Sequence, residues 1–285
     1  MKRVDIQVEG WDAYELLDSG GGRKLERFGE LVLDRPDPQV IWHKQNAAQW
    51  NDAQAQFVWA DKGERWSLAE GVPENWQIDW NDIVLNLSMK GFKHVGVFPE
   101  HSHQWELLQD LGKKHEGLKM LNLFGYTGAA SVAAAKVGMQ VTHVDASKST
   151  IETVKENATS SGLPSDAIRV ICEDALKYTK RLVARGEQFE VIVMDPPAFG
   201  RGPKGEVWKI EESLAELVAL LPQLLSPDAK LVILNGYAAG YSARTFGELL
   251  NEVLSHGTIT YGDIAINQKN SDRILTTGIY AAWQK

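Results

Sequence analysis

LKMLNLFGYTG, residues 118–128, places an apolar run directly before a glycine-containing turn, and three later segments end in an acid in a similar way. VTHVD ends in Asp145, CEDA contains Asp174, and VIVMDPP places Asp195 after a third apolar run. Helical sequence separates these segments. Alternating strands and helices predict a parallel α/β sheet, and such sheets bind ligands at the carboxyl ends of their strands.

Length and composition indicate a globular protein. The chain has 285 residues, 44% of them hydrophobic, and can therefore bury a substantial core. Its single cysteine excludes an internal disulfide framework and fits a reducing compartment. The segment MKRVDIQVEG lacks the apolar stretch of a secretory signal, and segment 214–225 is too short to span a bilayer. We therefore expect a soluble cytoplasmic protein.

The net charge of −8 argues against a protein that binds nucleic acid along its whole surface, because such domains are usually basic. It is compatible with a local basic rim.

The composition changes near residue 115, and seven of the ten tryptophans precede residue 81. Short alternating segments in this first part cover 29–33, 40–43 and 57–60. We expect a small β-rich domain over residues 1–85 and a second domain over residues 86–285, with 86–116 as a lead-in segment. The tryptophans fit either base stacking or core packing, and packing is the more ordinary role.

The second part predicts a doubly wound sheet. Predicted strands cover 118–124, 140–144, 168–172, 189–194, 229–234, 258–267 and 274–283. Predicted helices cover about 128–137, 148–161, 174–185, 208–225 and 243–255. Because no helix separates the last two strands, we expect an antiparallel hairpin there. The predicted fold class is α/β, a doubly wound seven-stranded Rossmann-like sheet with a reversed last strand, preceded by the small β-rich domain.

The turn after the first strand contains glycines at positions 125 and 128, which let the backbone come close to a ligand. A dinucleotide site would carry a third glycine in G-x-G-x-x-G, and an ordinary turn between strand and helix is the alternative. Asp145 follows Gly125 by about 20 residues, a spacing at which an acid can accept ribose hydroxyls. Asp174 could accept an adenine amino group, with Ala175 leaving room for the ring. Both acids could instead cap helices.

Asp195-Pro196-Pro197 ends the fourth strand, and Phe199 follows it. Two prolines fix the backbone and remove two donors, so the segment presents acceptors to the cleft. Acceptors suit a target amino group, and Phe199 could stack on a base. A rigid loop with a buried phenylalanine is the alternative.

These segments together resemble the class I S-adenosylmethionine-dependent methyltransferases, and within them the bacterial family that methylates 23S ribosomal RNA. The match is carried by LNLFGYTGAAS, THVDASKSTIETVKENATSSG, CEDA and VIVMDPPAFGRG. The resemblance implies S-adenosylmethionine as cofactor and RNA as substrate and partner. The implied cofactor contacts are Phe98, Glu100, Phe124, Gly125, Tyr126, Thr127, Gly128, Asp145, Ala146, Ser147, Asp174, Ala175 and Asp195. The implied catalytic residues are Asp195, Pro196, Pro197 and Phe199.

One departure from the resemblance bears on mechanism. Family members that methylate carbon 5 of a pyrimidine use a cysteine after the fifth strand, where this chain reads LNGY at 234–237. Cys172 lies at the adenine-side strand end, so we expect direct transfer to a base nitrogen, for which alignment of donor and acceptor suffices. A small-molecule or protein substrate, and a cofactor-binding module without catalysis, remain alternatives. A nicotinamide-dependent dehydrogenase is a weaker one, as is a metal site at EHSH, residues 100–103.

The segment 199–208 is rich in glycine and carries Arg201 and Lys204. We expect it to be mobile without substrate and to meet RNA phosphates when it closes. A solvated linker is the alternative.

Overall fold

The computed structural model describes residues 1–60, 63–90, 92–237 and 240–285. These residues divide into two compact units. The first, called here the β-rich unit, comprises residues 7–100 and 265–277. The second, the sheet unit, comprises residues 1–6, 101–264 and 278–285. The boundary predicted between residues 85 and 86 falls inside a strand, Ile83–Ser88.

The strands in chain order are β1 (Lys2–Arg3), β2 (Ile6–Val8), β3 (Tyr14–Gly20), β4 (Arg23–Phe28), β5 (Leu31–Pro36), β6 (Ala55–Ala60), β7 (Gly63–Leu68), β8 (Asn75–Trp80), β9 (Ile83–Ser88), β10 (Lys119–Leu123), β11 (Gln140–Asp145), β12 (Ile168–Cys172), β13 (Val191–Met194), β14 (Phe199–Arg201), β15 (Val207–Lys209), β16 (Leu231–Gly236), β17 (Thr258–Asn267) and β18 (Ile274–Gln284). The α-helices are α1 (Ser102–Lys114), α2 (Ala129–Lys136), α3 (Lys148–Ser160), α4 (Ala175–Ala184), α5 (Ile210–Ala219), α6 (Leu221–Leu224) and α7 (Ala243–Val253). Two 3-10 helices cover Ala47–Asp52 and Pro99–His101.

The β-rich unit contains a five-stranded sheet in the order β3-β4-β5-β6-β7 and the β8–β9 hairpin. A buried ion pair between Glu26 and Arg35 lies in it, and the Tyr14 hydroxyl donates to Glu26 over 2.9 Å. Five tryptophan indoles each donate a hydrogen bond within this unit, from Trp11, Trp42, Trp50, Trp66 and Trp76. These bonds favour the packing role for the tryptophans over base stacking.

The strand predicted at 40–43 is absent from this part of the described chain. The amide of Gly22 donates to the Val40 carbonyl, and the amide of Gly21 donates to the Trp42 carbonyl. The Asp37 carboxylate also accepts from the amide of Gln39, which bends the chain just before the segment. The backbone groups that a sheet partner would need are therefore engaged by a neighbouring turn.

The sheet unit is built on a nine-stranded sheet in the order β1-β17-β18-β16-β13-β10-β11-β12, with β2 also on β17. The strands β10, β11, β12, β13 and β16 run parallel, as the repeating strand–helix pattern predicts. Strand β18 pairs antiparallel with β16. The sheet exceeds the predicted seven strands because two short N-terminal strands extend its edge.

The helix predicted at 208–225 is interrupted. Residues Val207–Lys209 form β15, and the helical residues divide into α5 and α6. Pro222 lies in the first turn of α6, where its missing amide donor costs no intrahelical hydrogen bond. Among the described residues, every helix is too short or too polar to cross a membrane.

Candidate active site

The carboxyl ends of β10 and β13 lie next to each other at the point where the strand order reverses. Strand β10 pairs with β11 on one side and with β13 on the other. Connections from β10 therefore proceed in both directions across the sheet, which opens a crevice above the ends of these two strands. The turn at 124–128 follows β10, and Asp195 follows β13. The fold brings these two predicted site segments together.

The turn after β10 approaches the sheet closely at Gly125. A Cβ atom at Gly125 would lie 2.4 Å from Cε1 of His143 and 2.9 Å from Nδ2 of Asn122. Phe124, Tyr126 and Gly128 all have positive φ angles, of 55°, 52° and 85°. Left-handed backbone is unfavourable for aromatic residues, so tertiary contacts must hold this turn in place.

A buried polar network supports the turn from below. The Asn122 amide donates to Ser131 Oγ over 2.9 Å, and Ser131 Oγ lies 2.9 Å from His143 Nδ1. Burial lowers the pKa of His143 to about 4, against a smaller opposing effect of the Tyr126 backbone. Asn157 donates from Nδ2 to the Thr127 carbonyl over 2.8 Å and holds the end of the turn. Sequence reasoning assigned no role to these residues, although a histidine two positions before the strand-end acid is an available signal.

Asp145 connects the end of β11 to the same turn. Its carboxylate accepts from the amides of Tyr126 and Ser147 and from the hydroxyl of Thr150, each over 2.9 Å. Burial raises the pKa of Asp145, and these hydrogen bonds oppose the rise. The Ala146 backbone also bonds to this carboxylate, so the protein itself uses most of its roughly four acceptor positions. Asp145 is thus in part a structural anchor, a role that its spacing alone does not indicate.

Asp174 and Ser147 both begin helices. The Asp174 carboxylate accepts from the amide of Lys177 over 2.9 Å and caps α4, whose first residue, Ala175, is buried. Ser147 caps α3 through the amide of Thr150. The capping alternative is therefore realised at Asp174, through one of its two carboxylate oxygens. Cys172 directs its thiol at the Ala146 carbonyl, 3.7 Å away.

Asp195 lies at the end of β13, partly buried, with its amide donating to the Leu123 carbonyl. Burial raises the pKa of Asp195, and His101 has a smaller lowering effect. His101 Nδ1 lies 3.8 Å from Oδ2 of Asp195. This histidine comes from the segment just before α1, and from the sequence it was considered only as a potential metal ligand. Among the described residues, no cluster of three or more potential metal ligands is formed.

The segment 199–208, predicted to be a glycine-rich loop, forms a hairpin with Lys209, and its mobility stays a prediction. Strands β14 and β15 pair antiparallel, with Phe199 opposite Lys209 and Arg201 opposite Val207. The turn is closed by the Gly202 amide, which donates to the Glu206 carbonyl over 2.8 Å. Two paired strands form here instead of a loop, because Phe199, Val207 and Trp208 are residue types that favour strands.

Trp208 joins this hairpin to both loops of the crevice. Its indole donates to the Pro197 carbonyl over 2.7 Å, and its ring lies 4.7 Å from the Phe124 ring. The Ala198 carbonyl accepts from the amide of Ile210. Two carbonyls that were predicted to face the cleft are therefore used internally, which leaves the Asp195 carboxylate and the Pro196 carbonyl as candidate acceptors.

Two predicted cofactor contacts, Phe98 and Glu100, belong to the β-rich unit. The Phe98 ring lies 5.0 Å from the His94 ring, and Glu100 is buried. Their contact with a cofactor stays a prediction. Within the sheet unit, Gln104 and Asn235 exchange two amide hydrogen bonds, of 2.6 and 2.9 Å. Asn235 lies near the end of β16, in the stretch 234–237 where a cysteine was expected in family members that methylate carbon 5.

The crevice suits S-adenosylmethionine chemically. Ribose hydroxyls and an adenine amino group are hydrogen-bond donors, and Asp145 and Asp174 supply carboxylate oxygens at consecutive strand ends. The turn at 124–128 brings backbone rather than side chains to the crevice at its glycines.

Asp145→Ala is expected to weaken S-adenosylmethionine binding about 10- to 150-fold, which corresponds to roughly 1.5–3 kcal/mol for a charged hydrogen bond. The turn also loses its amide contact at Tyr126. Titration calorimetry measures the change, and Asp166→Ala, at an exposed acid, is the matched control. Equal affinity for wild type and Asp145→Ala would exclude this residue from the site.

The chain is similar to several known proteins in sequence and fold. The family model described as "Conserved hypothetical protein 95" matches residues 104–234. A crystal structure of the SAM-dependent methyltransferase from Agrobacterium tumefaciens superposes with a TM-score of 0.94 and 36% identity, over 100% of this chain and 97% of that one. SMU.776, whose crystal structure contains SAH, shares the fold at a TM-score of 0.75 and 19% identity, over 95% of this chain and 75% of that one.

The match to a curated relative covers a smaller part of both chains. The ribosomal RNA large subunit methyltransferase K/L of Shewanella frigidimarina is 35% identical over 153 residues, which cover 53% of this chain and 21% of that protein. The match therefore spans about a fifth of the length of this relative.

Proposed function

The chain belongs to the family of S-adenosylmethionine-dependent methyltransferases, and we propose that it transfers the methyl group of this cofactor to a nitrogen atom of an RNA base. The predicted enzyme class and cofactor are confirmed at the level of the family. The RNA substrate is supported by the similarity to the Shewanella relative, a ribosomal RNA large subunit methyltransferase. The base nitrogen is supported by the chemistry of the Asp195 segment.

The observation that carries the proposal is the position of Asp195 at the switch point, beside the turn that follows β10. The cofactor would supply an electrophilic methyl group from its sulfonium ion and would leave as the neutral thioether SAH, and the proton lost from the target nitrogen would pass to the Asp195 carboxylate. The Asp195 carboxylate and the Pro196 carbonyl accept the N–H bonds of a target amino group and orient its lone pair toward that methyl group. Pro196 and Pro197 hold the acceptors rigidly, so the alignment is prepared before the substrate arrives.

Several groups have supporting roles. Phe199 is 55% exposed and offers a face on which the target base stacks. His101 lies beside Asp195 and orients its carboxylate. Cys172 points at a backbone carbonyl, in keeping with direct transfer that needs no thiolate. Gly125, Thr127, Gly128, Asp145, Ser147, Asp174 and Ala175 hold the cofactor or the turns that meet it.

The test is transfer of labelled methyl from S-adenosylmethionine to total RNA, protein and metabolite pools, followed by nucleoside analysis of the labelled RNA. We expect label in RNA, on a base nitrogen. Asp195→Asn is expected to lower transfer by about a hundredfold or more while cofactor affinity changes little, because the neutral amide orients an amino group less well. Asp228→Asn, at an exposed acid before β16, is the matched control.

Two results would contradict the proposal. Label confined to protein or metabolites would replace RNA by another substrate, an outcome to which the net charge of −8 gives some weight. Full activity of Asp195→Asn would remove the proposed orientation of the target nitrogen.

A further inference from the structure

We infer that the outer face of the β14–β15 hairpin binds a single-stranded RNA segment next to the nucleotide that is methylated. This outer face is defined by Phe199, Arg201, Val207 and Lys209. The inference rests on the proposed function and extends it: Phe199 stacks on the target base, and the other three side chains of the face bind the nucleotides that flank it.

The pairing register creates the face. Phe199 lies opposite Lys209 and Arg201 lies opposite Val207, so all four side chains project from the same side of the hairpin. Gly200 and the buried Trp208 form the opposite, inward side. Apolar and cationic side chains therefore alternate on the outer face, both along each strand and across the strand pair. Phe199 is 55% exposed and Val207 is 51% exposed.

This alternation matches the chemistry of single-stranded nucleic acid. Bases stack on aromatic rings and guanidinium planes, while cations meet phosphates. The Arg201 guanidinium lies 5.9 Å from the centre of the Phe199 ring, so the two already form a joint stacking surface. Lys204 adds a cation in the connecting turn. A duplex would hide its base faces from Phe199, which favours a single strand as the occupant.

Charge also distinguishes this face from the rest of the chain. The protein carries a net charge of −8, whereas segment 199–209 contains three cations and one acid. The acid, Glu206, pairs with Lys177 of α4 over 2.9 Å, and that hydrogen bond is the main cause that lowers the pKa of Glu206 to about 2. Lys209 pairs with Glu212, but an exposed pair of this kind is weak and can exchange for a phosphate.

The hairpin is held in place before any substrate binds. Trp208 bonds to the Pro197 carbonyl and packs on Phe124, and Glu206 ties the turn to α4. A preorganised surface loses less conformational entropy on binding than a mobile loop. Phe199 follows Asp195 by four residues, so the outer face begins a short length of chain away from the crevice.

The experiment measures binding of a short fluorescein-labelled single-stranded RNA of mixed sequence by anisotropy, with SAH present. Arg201→Ala is expected to weaken binding about tenfold at low salt and to reduce the slope of log Kd against log salt by about 0.7, since one fewer phosphate is neutralised. Val207→Ser is expected to weaken binding without changing the slope. Arg169→Ala is the matched control, because Arg169 is exposed near the opposite, amino-terminal end of β12.

Unchanged affinity and slope in Arg201→Ala, with RNA still methylated, would overturn this inference and leave the proposed function standing. A wild type that labels no RNA in the transfer assay would overturn both. Equal binding of single-stranded and duplex RNA, or complete displacement of the RNA by a poly-glutamate peptide at matched charge, would also overturn the inference. Cofactor calorimetry on each variant verifies that the crevice remains folded.

Discussion

Gly125→Ala is expected to reduce S-adenosylmethionine affinity by about a hundredfold or more, which corresponds to about 2.8 kcal/mol. The new methyl group would lie 2.4 Å from Cε1 and 2.5 Å from Nδ1 of His143. The His143 ring is buried, and its Nδ1 is already hydrogen-bonded to Ser131. Neither side can move far, so the turn at 124–128 must shift away from the sheet. Overpacking of this kind costs roughly 1–3 kcal/mol of folding stability as well.

Titration calorimetry and thermal unfolding measure the two effects separately. Gly200→Ala is the matched control, because its Cβ would lie 3.6 Å from Pro197 and 3.8 Å from Trp208, which are ordinary contacts. We expect the control to bind the cofactor like wild type. If Gly125→Ala also binds like wild type, the turn after β10 does not form the cofactor site.

His143 is expected to make the sheet unit sensitive to acid. Burial lowers its pKa from 6.5 to about 4 in the folded protein. Above pH 6.5 both the folded and unfolded states hold the neutral ring, and its titration contributes nothing to the pH dependence. Between pH 6.5 and 4 the unfolded chain binds a proton that the folded protein does not, so the free energy of unfolding falls as the pH falls. The loss reaches about 3 kcal/mol near pH 4.

His143→Gln removes this titration while keeping a side chain that can reach Ser131. We expect its free energy of unfolding to depend less on pH than that of wild type over this window, even if the variant is less stable at pH 7. Urea unfolding at a series of pH values gives the comparison, with the exposed His115→Gln as control. Parallel curves for wild type and His143→Gln would show that His143 is not held neutral by burial. His94, whose pKa burial lowers to about 3, contributes to both curves alike.

Much of the sheet unit is predictable from local pattern. Predicted strands 168–172 and 258–267 coincide with β12 and β17, and the helix at 148–161 differs from α3 by one residue. These elements have long periodic runs with helix caps or glycine at their ends, as at Ser147 and Gly162. Local propensity and tertiary packing agree there, so the sequence is informative.

Prediction was wrong where long-range pairing competes with local pattern. Segment 40–43 has the alternation of a strand, but its carbonyls accept from a glycine turn about 20 residues earlier. Segment 199–208 has the glycines of an irregular loop, but β14 and β15 pair across it. Residues 265–277, at the far end of the chain, belong to the β-rich unit. The local pattern of residues along the chain does not show which segments distant in sequence will pair.

The sequence by itself determined the strand–helix order, the acids at the strand ends and the resemblance to methyltransferases, because each depends on residue type and short spacing. Only the tertiary structure decided how those acids are used. It shows Asp145 bound to the turn after β10, Asp174 capping α4, and the Pro197 carbonyl occupied by Trp208. A carboxylate or carbonyl has few acceptor positions, and folding determines which of them the protein itself fills and which remain for a ligand.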